Sequence, residues 1–168
     1  MNTNTKTTTA LHDPPVSIRG KLAAAWTSLM FFCIYVDYLH LYKPGAIEDI
    51  LAGVVWEFDI SQTFVVISLT LVGITALMIL LSMTLPARIN RAINLVVASL
   101  YIPVLAFNAV GQVVESQPWF YFYGLGAVVE VIILAYILRS AWTWPRTAAS
   151  ASLPVPAAPR RSQMQPGR

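Results

Sequence analysis

Charge is scarce in this chain. Only 11% of its residues are Asp, Glu, Lys or Arg, against roughly a quarter in an ordinary soluble domain. Cysteine occurs once, as Cys33, so no disulfide can close within the chain and no CxxC pair is present for thiol redox work or zinc. The two histidines do not form a metal-binding pair, and Asp37 with His40 is one ligand pair only, too little for a metal site. No HExxH, P-loop or GxSxG motif occurs, so the sequence signs of zinc hydrolysis, nucleotide binding and serine-hydrolase chemistry are missing. No cofactor is expected. The net charge of +3 is not a nucleic-acid signal, because the basic residues do not cluster with aromatics into a binding surface.

Apolar residues are plentiful. They make up 57% of the chain, and the mean hydropathy is +0.63. Several apolar runs reach about 20 residues, enough at 1.5 Å per residue to cross roughly 30 Å of hydrocarbon. The expected fold is all-α and integral to a membrane, with spans near 21–42, 61–84, 91–112 and 119–141. The first run starts near Leu22 after a polar stretch, and no A-x-A-like cleavage site follows it, so it is read as a retained helix. Residues 1–18 are Thr-rich and broken by Pro14 and Pro15, and are expected to be a disordered tail. Residues 147–168 are an Ala/Pro/Arg extension without apolar periodicity, expected to be solvated. The membrane domain is then 19–146.

Ten of the eleven basic residues fall on one side of this arrangement, and only Lys43 falls on the other. The positive-inside rule therefore predicts cytoplasmic N- and C-termini. Trp26, Trp142 and Trp144 are expected at the inner interface, with Tyr38, Tyr42, Trp119 and Tyr121 at the outer one. Short loops make neighbouring spans antiparallel, which gives an up-down-up-down four-helix bundle. In the first outer loop, Ile47, Ile50, Leu51, Val54, Val55 and Phe58 recur at helical spacing, while Glu48, Asp49 and Glu57 keep off that stripe. This predicts a short amphipathic helix at the mouth of the bundle, either a connector or a lid. Asp59 and Gln62 are placed to cap the next span.

Polar residues within the spans are the candidates for function. A left-handed bundle turns one face of each helix inward at seven-residue spacing. Asn94, Tyr101, Asn108 and Glu115 follow that spacing in the third span, and Ser61, Ser68, Thr75 and Ser82 follow it in the second. Both stripes should face inward, because hydrogen-bonding groups in lipid need partners. The depths predict an outer layer of Asp37, His40 and Asn108. A midplane layer holds Glu130 and Tyr101, with Thr70 or Thr75 in reach. Asp37 and His40, three residues apart, can meet on one helix face. Gly126 and Ala127, a turn from Glu130, let a neighbouring helix approach or leave room for a ligand. Pro103 is expected to bend the third span, and Cys33 is read as core packing.

An ionised Glu130 near the midplane costs several kcal/mol unless paired. Arg139 is about 13 Å away along the same helix, and no Lys or Arg lies in the core of the other spans. The neutral acid is therefore the expected form. Three readings follow. Glu130 is a structural carboxyl joining two helices through Tyr101 or a backbone carbonyl. Or Glu130 and Asp37 are the polar contacts of a cavity for a small apolar or amphipathic ligand. Or the two carboxyls serve a small proton-linked transporter, as a homo-oligomer, since four helices enclose little pathway. A membrane enzyme ranks behind these.

The Asp in "YVDYL", the turn "LLSMTLPARINRAIN" with Asn90, Arg91 and Asn94, the acid Glu130 and the closing "SAWTW" together resemble a family of small four-span bacterial membrane proteins classed as a domain of unknown function. The resemblance covers about residues 20–145. It implies a compact four-helix bundle in the bacterial inner membrane and assigns no substrate. The expected function is a non-enzymatic membrane component, structural or ligand-binding, with the lipid bilayer as its partner.

Overall fold

A computed structural model of the protein describes residues 14–56, 58–115 and 119–145, with residues 111–115 described by backbone alone. The expected tails, apart from residues 14–18, lie outside the described residues, as do Glu57 and the side chain of Glu115. The elements in order are α1 (Ile18–His40), α2 (Ala46–Leu51), β1 (Val54–Val55), β2 (Phe58–Asp59), α3 (Gln62–Thr84), α4 (Ala87–Glu115) and α5 (Phe120–Trp142). Most of the described chain is helical. Four stretches are long and apolar enough to cross a membrane: α1, α3, Ala87–Val110 of α4, and α5.

The helix ends follow from local chemistry. Ser17 precedes α1, and its hydroxyl accepts the Gly20 N–H at 3.2 Å. This side-chain cap satisfies one of the helix's orphan donors and starts α1 three residues before the expected Lys21. Ser61 plays the same part for α3, accepting from the Phe64 N–H at 3.2 Å. The cap is thus Ser61 and not Asp59, which lies in β2. Pro86 sets the start of α4, where the missing N–H costs nothing: the Asn90 N–H bonds the Pro86 carbonyl at 2.9 Å. Arg88 and Arg91 therefore sit on the first turns of α4 and not in a loop. Pro103 lies inside α4 and removes the N–H that the Ser99 carbonyl would otherwise accept.

The outer loop corrects the expectation of a helix running to Phe58. The helix ends at Leu51, after which Gly53 adopts φ +84°. A glycine meets no Cβ penalty in that left-handed conformation, and its N–H returns to the Ile50 carbonyl at 3.0 Å. The β-branched Val54 and Val55 then pair antiparallel with Asp59 and Phe58. Trp56, in the turn, has φ 54°. The aromatic side chains of this hairpin lean on α3 and α4: Trp56 lies 5.7 Å from Phe107, and Phe58 lies 6.4 Å from Phe64, ring centre to ring centre.

Contacts between helices are uneven. The first helix, α1, packs against both α3 and α5, and α4 packs against α5, whereas α3 and α4 touch far less although they are consecutive. The start of α1 lies beside the end of α3, where the Arg19 guanidinium donates to the Met83 carbonyl at 3.0 Å. The start of α4 meets the end of α5, where Arg91 donates to the Ala141 carbonyl at 3.2 Å and lies over the Trp142 ring at 5.9 Å. These ends define one half of the molecule, here termed the closed half. It holds most of the core, including Leu22, Trp26, Leu29, Met78, Ala98, Ile137 and Ala141. In the opposite, open half, α1 beyond Leu29 and α3 before Thr75 have no buried residue. There α4 and α5 contribute Leu105, Tyr123 and Gly126.

Candidate functional site

Two polar assemblies occupy the two halves. In the closed half, Asn94 is the hub. Its side-chain carbonyl accepts the Trp26 indole N–H at 2.7 Å. Its amide donates to the Asn90 side-chain and backbone oxygens at 2.6 and 2.9 Å, and the Ser82 hydroxyl lies at 3.5 Å. Asn90 in turn donates to the Ser82 carbonyl at 2.6 Å. All four side chains are fully buried, and the network joins α1, α3 and α4. Tyr101 extends it: its ring meets Trp26 edge to face at 5.8 Å, and its hydroxyl donates to the Leu71 carbonyl. Among the described residues no buried side-chain polar atom lacks a hydrogen-bond partner, as a low-dielectric interior requires.

The open half holds a cavity of about 60 Å³ lined by α1, α4 and α5, among them Cys33, Asp37, Asn108, Tyr123 and Glu130. Among the described residues, the hydrogen-bond partner of Glu130 is the Cys33 thiol, which donates to Oε1 at 3.5 Å; a thiol is a weak donor. Tyr123 is buried, and its hydroxyl lies 2.6 Å from Nδ1 of His40. Gly126 is buried where α5 faces Val36 of α1, and a Cβ there would make ordinary contact with a Val36 methyl at 3.5 Å. Beside the cavity runs an apolar groove of about 250 Å³ between α4 and α5, lined by residues including Ile102, Ala106, Val131, Leu134, Ala135 and Leu138. Leu105, Ala109 and Ala127 line both spaces, so the groove and the cavity are contiguous.

Several sequence-predicted residues change company. Asp37, Asn108 and Glu130 come together, although Glu130 was expected in the layer below. His40 turns to Tyr123 instead of Asp37, and it does not line the cavity. Tyr101 bonds Leu71 and not Glu130. On α3 the heptad stripe splits. Thr75 and Ser82 are buried, whereas Ser68 is exposed and returns its hydroxyl to the Phe64 carbonyl; Thr70, off the stripe, is likewise exposed and bonds the Val66 carbonyl. Trp26, expected in an interfacial belt, is fully buried because Asn94 supplies an acceptor for its indole. Trp142 is exposed. The cavity also contains two residues that sequence reasoning did not select, Cys33 and Tyr123. Cys33 lies four residues before Asp37, one helical turn away, so the spacing alone could have found it.

Four helices long and apolar enough to cross a membrane, with no cluster of three or more His, Cys, Asp or Glu able to hold a metal among the described residues, fit a small polytopic membrane protein, here with a cavity that carries polar side chains. More narrowly, residues 17–150 match a family of unknown function, DUF6326, and the chain belongs to it. Neither a curated protein nor a solved structure matches it.

Proposed function

We propose that this is a non-enzymatic membrane protein, whose closed half holds the helices together and whose open half binds a small apolar or amphipathic ligand. The observation that carries this reading is the contiguity of the Asp37–Asn108–Glu130 cavity with the α4–α5 groove. Ligand pockets combine an apolar lining with a few convergent polar groups, and this pair of spaces has that character. The proton-linked alternative would use the same two carboxyls, and no observation favours it.

The proposed setting is the inner membrane of a bacterium. The membrane domain spans 19–146 as an antiparallel up-down bundle, with both termini cytoplasmic. Ten basic residues of eleven on one side support that orientation. Arg19, Arg88 and Arg91 then lie at the cytoplasmic end, and the cavity sits in the outer half.

Mass spectrometry of the purified protein under conditions that keep ligands bound tests the ligand reading. The wild type should carry a small amphipathic adduct that Ala127→Phe loses, because Ala127 borders both spaces. Identical adduct profiles for the two proteins would overturn the reading.

A further inference from the structure

The open-half site has a chemical bias. Its polar lining brings together two carboxyls, from Asp37 and Glu130, and the Asn108 amide; Tyr123 also lines it, with its hydroxyl bonded to His40. Among the described residues no Lys, Arg or His side chain lines it. A carboxylate at this depth requires a cation or a proton, and the thiol of Cys33 supplies Glu130 with no charge. An ammonium head supplies that cation, and an anionic head does not. The cavity is small, about 60 Å³, and suits a compact head such as a primary ammonium.

The groove defines the rest of the ligand. It is a single furrow between two helices, kept open by the small side chains of Ala106, Ala109, Ala127 and Ala135, so it takes one chain and not two. It leaves the cavity at Ala109 and Ala127 and runs toward Leu134 and Leu138, in the direction of the closed half. A molecule with its head near Asp37 and its tail along this furrow would share the alignment of the lipids in its own leaflet.

We infer that the site takes a single-chain amphiphile with a primary ammonium head, the head among Asp37, Asn108 and Glu130 and the chain in the α4–α5 groove. This rests on the ligand-binding reading above. Charge-assisted hydrogen bonds from the ammonium to the two carboxyls give the selectivity, and the groove gives the apolar contact area.

Equilibrium binding of radiolabelled dodecylamine to the full chain in phosphatidylcholine nanodiscs, against empty nanodiscs, tests it. Dodecylamine should bind above the empty-disc background. Unlabelled dodecanol and dodecanoate should compete at least about tenfold more weakly than unlabelled dodecylamine. The double variant Asp37→Asn, Glu130→Gln should lose affinity for the amine by at least about tenfold while leaving that for the alcohol unchanged. Equal competition by amine, alcohol and carboxylate would overturn the ammonium assignment and leave the amphiphile site standing. No binding above empty discs by any of the three would overturn both. If the double variant fails to fold, head-group competition on the wild type decides alone.

Discussion

The closed half and the open half are built from the same four helices, yet they solve the problem of polar atoms in lipid differently. In the closed half, Trp26, Ser82, Asn90 and Asn94 bond one another and are fully covered by protein. In the open half, Asp37 and Asn108 remain uncovered, and Glu130 has a thiol as its partner. A saturated network rigidifies and specifies one packing. An unsaturated one holds acceptors in reserve for something else. The contrast separates the part of the molecule that determines its shape from the part free to meet a ligand.

The sharpest test of that division is to damage each half and compare. Trp26→Ala removes a fully buried indole and its bond to Asn94, and should cost about 3–5 kcal/mol, seen as the largest drop in melting temperature in detergent or as failure to accumulate. Asn94→Leu should follow at about 2–3 kcal/mol, because it strands the Trp26 indole donor and leaves the Asn90 side-chain carbonyl without its donor. An Asn94→Leu protein as stable as wild type would remove the hub from the account. In the open half, Tyr123→Phe loses the His40 bond and should cost about 0.5–1.5 kcal/mol. The smallest effect is expected for Glu130→Gln, which keeps the shape and a donor and should change stability by less than about 0.5 kcal/mol. A large loss in that variant would turn Glu130 into a structural brace and blur the comparison. Orientation can be checked separately in a Cys33→Ala background. A membrane-impermeant maleimide added to spheroplasts should label Ala52→Cys and leave Thr143→Cys unmodified until the membrane is opened.

Much of the fold was legible in the chain because hydropathy is a local property. Runs of about 20 apolar residues mark the helices whatever they pack against, although the start of α4 at Ala87, just after Pro86, lies four residues before the expected 91. The hairpin after Gly53 was not legible. Its apolar residues happen to fall at helical spacing, and over so short a stretch a period of 3.6 competes poorly with β-branched residues following a left-handed glycine. The site was half legible. Asp37, Asn108 and Glu130 stand out because polar groups in apolar runs are rare. Their grouping depends on the rotation of each helix about its axis, which spacing within one helix does not determine. The same ignorance placed Trp26 at an interface, and it hid that Cys33, packed against the core as expected, also reaches the cavity. Interfacial tryptophans are common, and only the position of Asn94 on another helix reveals this indole as a buried donor.

The pairing of α1 with α5 bears on how the protein is made. The helix that enters first can pack on α3 once that span follows, but it gains its other lasting neighbour, α5, only when the final span arrives. Until α4 is released, the Trp26 indole has no Asn94 to receive its proton, and until α5 emerges, Cys33 and His40 face lipid without Glu130 and Tyr123. A polypeptide stalled before Phe120 would therefore display those unmet groups within the bilayer, the kind of mark by which membrane proteases recognise an unfinished product.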